Sequence, residues 1–163
     1  MAEKKSSFKV GKSIGLAGAR EVVVSPAARA LGVKLKSVSK QKIVAEMRVK
    51  PDHYNRTGRV NGGALMAFAD ALGAAGTVAN LPPNHGTTTL ESKTNFFAAG
   101  TGPVLTGVSI PLHIGRSTNV WQTTISNPDG RKVAIVTQTQ IVIALRTEAA
   151  PAAPKASGKR KPV

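Results

Sequence analysis

Residues Gly62 to Leu81 form one Ala/Gly-rich apolar run with a single charge in it, Asp70. No other stretch limits the fold so strongly. A helix that is apolar on every side cannot rest on a surface with one face in water, so other elements must wrap it. A carboxylate in such a helix is costly to desolvate, and chains seldom place one there without a use for it. Just ahead stands Asn55-Arg-Thr-Gly58-Arg-Val-Asn61-Gly62-Gly63, which puts a glycine pair where the helix begins. A helix N-terminus offers unpaired backbone N–H groups to an incoming carbonyl or anion. Donors at one end and a lone acid further along describe a catalytic site.

At 163 residues the chain makes one domain with a sizeable core. It has no cysteine, which excludes a disulfide framework, a thiolate nucleophile and a cysteine-based zinc site. With only His53, His85 and His113, scattered along the chain, no metal site is expected. The formal net charge is +15. Lys4, Lys5, Lys9, Lys12 and Arg20 against Glu3 and Glu21 leave residues 1–21 at +3. Arg146, Lys155, Lys159, Arg160 and Lys161 against Glu148 leave residues 146–163 at +4, so the middle keeps +8. A basic body suits a polyanion, and nucleic acid and coenzyme A both qualify. An aromatic content of 4% and no aromatic-basic strand motif argue against nucleic acid. Ile14–Ala19 is too short for a secretory leader and runs straight into Arg20-Glu21. Asp70 and Asn80 make the long apolar run a helix buried in protein and not a membrane span. A cytoplasmic, soluble protein with no membrane partner is the expectation.

Residues 1–24 lack clear periodicity and read as a loose basic arm; residues 147–163 read as a disordered Ala/Pro/Lys-rich tail. Both are expected to be dispensable, with the domain spanning 25–146. Inside it, Ser25 caps a short helix that opens at Pro26 and stops at Gly32. Val33–Ser37 and Lys42–Val49 read as strands. After Pro82-Pro83 the pattern turns to period two, giving strands over Thr88–Phe97, Val104–His113, Thr118–Ser126 and Lys132–Leu145. Asn127-Pro-Asp-Gly130 is a strong turn between the last two. The order predicts an α+β fold with one antiparallel sheet around one long central helix.

These residues carry a family resemblance over most of residues 31–145. The ordered set Asn55, Gly58, Val60-Asn61-Gly62-Gly63 and Asp70 resembles the hotdog-fold acyl-CoA thioesterases, in the PaaI-like (phenylacetate-pathway) branch. Thr88-Thr-Leu-Glu-Ser-Lys-Thr-Asn-Phe96-Phe97, His113-Ile-Gly115-Arg116 and Asp129-Gly130-Arg131 add to it. One departure is visible, since the family commonly has His-Gly-Gly where this chain has Asn61-Gly62-Gly63. An asparagine there can still hydrogen-bond the loop, though without titrating.

The resemblance implies hydrolysis of an acyl-CoA thioester to free acid and coenzyme A, with no cofactor. The Gly62 amide polarises the thioester carbonyl with the helix dipole behind it. Asn55 adds a side-chain donor or holds the loop. Asp70 acts as general base or as nucleophile. Thr89 matches a hydroxyl that orients the water in relatives, with Thr88 as the nearest alternative. Asn61, Gly63, Phe68, Arg116 and Ser117 are the substrate-binding candidates, with Arg116 for the phosphates of coenzyme A. Phe68 reads as core, like Trp121, or, from its nearness to Asp70, as a lining of the acyl pocket. Gly62 and Asp70 lie eight residues apart, roughly 12 Å along a helix, so one carbonyl cannot touch both within one subunit. A homodimer or dimer-of-dimers tetramer with sites shared between chains is expected. The alternatives are a hotdog protein that binds acyl-CoA without hydrolysing it, and a basic nucleic-acid-binding module.

Overall fold

A computed structural model describes residues 14–145. Six strands make one antiparallel sheet in the order β1-β2-β4-β5-β6-β3. They are β1 (Val33–Val38), β2 (Ile43–Arg48), β3 (His85–Phe96), β4 (Val104–Ile114), β5 (Thr118–Ser126) and β6 (Lys132–Ala144). Across the sheet's inner face lies the long helix, α3 (Gly62–Val78), preceded in the chain by α1 (Gly15–Val23) and α2 (Pro26–Ala30). This is the expected α+β hotdog architecture.

Local chemistry accounts for the elements. Ser25 Oγ accepts the Ala28 N–H at 3.3 Å, and Pro26 opens α2. Gly32 ends it with φ +70°, where a Cβ would also sit 2.8 Å from the Arg48 carbonyl oxygen, so only glycine fits. The Asn127–Gly130 turn closes with Gly130 at φ +83° and joins β5 to β6. The alternating apolar residues of β2, Ile43, Ala45 and Met47, are fully buried. With Leu105, Ile125, Val133 and Val136 they pack on Leu65, Phe68, Ala69 and Leu72 of α3 to form the main core.

Part of the expected loose arm is ordered. Gly15–Val23 is helical, and Ala19 and Val23, both 0% exposed, pack against Ala75 and Ala79 on the back of α3. The wrapping that the apolar helix demands therefore comes from a second helix as well as from strands. Residues 1–13 and the tail from 147 lie outside the described residues.

Two glycines of α3 bring helix and sheet together. A Cβ on Gly76 would lie 2.6 Å from the buried Trp121 ring, and one on Gly73 would overlap the Gln138 amide. Gly76→Ala sets two effects against each other. Alanine gains about 1 kcal/mol in helix propensity, whereas overpacking a filled core costs about 1–3 kcal/mol. With the indole 0% exposed and boxed in, overpacking wins. The expected result is a lower urea midpoint at unchanged slope; a raised midpoint would show that the indole gives way freely.

Candidate active site

Asp70 lies on one stripe of α3 with Gly63, Met66 and Ala67, at the i, i+3, i+4, i+7 spacing of a single helix face. Gly63, Met66 and Ala67 are exposed and Asp70 is half-buried, while Leu65, Phe68, Ala69 and Leu72 face the core. The stripe runs beside β3, which among the described residues is an edge strand paired with β6 alone.

The register of β3 decides what reaches Asp70. Thr89 pairs with Gln140 and Glu91 with Thr139, so Leu90 is an extra residue in a β-bulge. A bulge reverses which residues face inward beyond it. Thr87 and Thr89 point to the helix before the bulge, and Ser92, Thr94 and Phe96 do so after it, paired with buried Gln138, Val136 and Ala134. Leu90 itself is 60% exposed.

Thr89 Oγ1 donates to Asp70 Oδ1 at 2.8 Å. Gln140 Nε2 donates to Thr89 Oγ1 at 2.8 Å, and Gln138 Nε2 reaches Asp70 Oδ1 at 3.3 Å. Among the described residues no cation lies within ion-pair distance of Asp70. Within the described residues its partners are a hydroxyl and an amide, not a surface cation.

The other end of the site is the start of α3. Asn61 caps the helix, its Oδ1 accepting the Gly63 N–H at 2.7 Å. The Asn61 N–H is itself held by the His53 carbonyl at 2.7 Å. Ala64 N–H and Leu65 N–H go to the Asn61 carbonyl, at 3.1 and 3.2 Å. The Gly62 N–H has no partner among the described residues, and the Phe96 ring covers its α-carbon, since a Cβ there would meet the ring at 3.1 Å. Of the two glycine amides, one is consumed by the cap and one is left open at the positive end of the helix dipole.

Asn55 holds its loop. Its Oδ1 accepts from Thr57 N–H at 2.9 Å, Thr57 Oγ1 at 2.7 Å and Arg59 N–H at 3.1 Å. Arg116 and Ser117 are exposed in the β4–β5 turn. Thr118 pairs with Ile141 and Ile141 with Thr88, so the turn lies level with Thr88–Thr89, two strands or about 10 Å away. Phe68 is not at the site. It is 0% exposed in the core against Gly107, because two residues of helix turn it about 200° from Asp70. Gln138 and Gln140 reach the site and were not expected there. The available signal was a pair of glutamines alternating with threonines in β6, but both faces of that stretch are polar and neither phase stands out. Among the described residues no three His, Asp or Glu side chains group as a metal centre requires.

The sequence profile of the Thioesterase superfamily matches residues 57–134, which span the free amide, Asp70 and Thr89. A Vibrio cholerae protein provisionally named an esterase is 32% identical over 105 residues, 64% of this chain and 70% of that protein. The chain belongs to the thioesterase superfamily. The 1,4-dihydroxy-2-naphthoyl-CoA hydrolase of Listeria monocytogenes is 26% identical over 64% of this chain and 85% of its own length. A hypothetical thioesterase of Streptococcus pneumoniae, solved with coenzyme A, has the same fold with a TM-score of 0.68. It is 24% identical, over 78% of this chain and 98% of that one. These relatives support thioester hydrolysis as the general activity. No helix among the described residues is long and apolar enough to cross a membrane.

Proposed function

We propose that the protein is an acyl-CoA thioesterase of the phenylacetate-pathway type, with Gly62 as oxyanion donor and Asp70 as base or nucleophile. The observation that carries this reading is the pairing of an open helix N-terminal amide with an acid that has no cation partner among the described residues, both bordering one exposed face. Asn55 and Asn61 hold the loop that presents Gly62. Thr89 orients Asp70 or the water beside it. Arg116 and Ser117, in the turn level with Thr89, receive the phosphates of coenzyme A. The coenzyme A bound to the pneumococcal relative and the acyl-CoA substrate of the Listeria relative support this class of ligand.

The site is shared between two subunits. Gly62 adjoins Phe96 at the end of β3, and Asp70 adjoins Thr89 near the middle of the same strand. A twofold axis that brings Gly62 of one chain to Asp70 of the other must set Phe96 across from Thr89 and pass near Ser92–Lys93. The exposed stripe of α3, with Leu90 and Phe97 at 60% and 57% exposure, borders that axis. A β3 edge without a partner strand suits such pairing. The assembly is a homodimer or a dimer of dimers.

Thiol release from benzoyl-, phenylacetyl-, octanoyl- and 1,4-dihydroxy-2-naphthoyl-CoA tests the activity. Turnover of at least one is expected, and binding without release would favour an acyl-CoA-binding protein. The shared site has its own test. Gly62→Pro removes the N–H at a helix position that favours proline, and Asn61 already has the extended conformation a residue before proline needs, ψ 138°; the exposed Phe96 ring must yield slightly to the new Cβ. Gly62→Pro and Asp70→Asn homodimers should both be inactive. Co-refolded at random they should recover about a quarter of wild-type activity, through heterodimers with one intact site. No recovery with mixing confirmed by mass would place the whole site in one chain.

A further inference from the structure

Gln138 and Gln140 are consecutive inward-facing residues of β6, each 1% exposed, at positions where apolar side chains would cost less to bury. Hydrogen-bond logic shows what their amides add. An ionised carboxylate only accepts, so the single proton of the Thr89 hydroxyl goes to Asp70 Oδ1. The Thr89 oxygen must then accept, and it does so from Gln140 Nε2. That fixes which way the Gln140 amide is turned and aims its Oε1 at Thr87 Oγ1, 3.1 Å away. The Thr87 hydroxyl is also 2.8 Å from the Ile141 carbonyl oxygen. The Thr87 proton is shared between that carbonyl and Gln140 Oε1, and the series Gln140, Thr89, Asp70 donates in one direction and ends on the carboxylate.

Gln138 reinforces it. Its Nε2 reaches Asp70 Oδ1 at 3.3 Å and the Asp70 backbone carbonyl at 3.4 Å. Gly73, three residues after Asp70, is where the helix leaves room for this amide. The other amide atom, Gln138 Oε1, is buried with no partner among the described residues, which costs stability. Both side-chain contacts converge on Oδ1, and none among the described residues reaches Oδ2.

We propose that Gln138 and Gln140 are positioning residues that turn Asp70 Oδ1 into the protein and leave Oδ2 as the oxygen that meets water or thioester. The inference rests on the thioesterase reading above and deepens it. A glutamine kept at a cost in stability has a signature that a packing residue lacks. Gln138→Met should match or exceed wild type in thermal midpoint, lower kcat by about tenfold and leave KM within twofold. Gln140→Leu should lower kcat similarly in wild type, yet change nothing further in a Thr89→Val background, because it acts through that hydroxyl.

Controls separate this inference from the reading it rests on. If wild type turns over an acyl-CoA, Asp70→Asn does not, and both glutamine variants keep kcat within twofold, the positioning role is overturned and the thioesterase stands. Losses of activity that add fully in the Thr89→Val, Gln140→Leu double variant would also overturn it. If wild type turns over nothing, or a variant fails to fold, the side-chain amide resonances of the two glutamines decide. Thr89→Val should shift that of Gln140, and Asp70→Ala that of Gln138; unmoved resonances would show that neither amide holds the acid.

Discussion

Replacing Asp70 by asparagine is expected to lower kcat by about 10²–10⁴-fold, the range a positioned acid or base supplies, while KM stays within about threefold. The fold should survive, since an asparagine oxygen can still accept from Thr89 Oγ1 and no ion pair is broken. What disappears is the charge on the oxygen that reacts in the proposed mechanism, which would matter in the transition state far more than in the bound substrate. Steady-state kinetics on whichever acyl-CoA is turned over, with a melting curve alongside, checks this. A loss under threefold amounts to less than about 1 kcal/mol of barrier and would remove Asp70 from the chemistry.

The second large effect is on stability. Deleting residues 1–24 strips α1 from α3, taking away buried Ala19 and Val23 and opening Ala75 and Ala79 to water. A fully buried valine alone contributes roughly 1.5–3 kcal/mol, and the alanine contacts bring the loss to about 3–5 kcal/mol. At 2–4 °C per kcal/mol for a domain of this size, the melting midpoint should fall by about 10 °C. Deleting residues 1–13 alone serves as the comparison. An unchanged midpoint after removal of residues 1–24 would mean that α1 contributes no net stability.

The sequence was legible where one residue type has one use. Asn127-Pro-Asp-Gly130, the Ser25-Pro26 cap and the alternation of β4 and β5 lie where they were expected, and α3 begins at Gly62. Helix α1 was not legible. Its nine residues include two glycines, and its apolar side chains acquire a face only against Ala75 and Ala79. The bulge at Leu90 was hidden for a related reason. Thr, Ser and Asn on both sides of β3 give no parity to read, so the residue count at which the strand changes face is set by pairing with β6. At the site, Asp70, Gly62 and Asn61 stood out because each breaks a local pattern, whereas Gln138 and Gln140 do not. Phe68 is core, one of its two readings; the other, an acyl-pocket lining, rests on nearness in sequence, which the helical turn of about 100° per residue contradicts.

The notches at Gly73 and Gly76 bear on motion. Each receives one particular side chain from the sheet, Gln138 in the first and Trp121 in the second. Packed helices commonly adjust by sliding a little along their axes as a ligand enters. Here a slide of even one residue, about 1.5 Å, would carry the Cβ of Leu72 or Ala74 towards the glutamine and that of Ala75 or Thr77 towards the indole. The two notches key the helix to the sheet and oppose both sliding and rotation. Its amide end and its acid therefore keep their offset from the sheet, and in the proposed enzyme the opening for substrate falls to the Tyr54–Val60 loop, the β4–β5 turn or the seam of the proposed dimer.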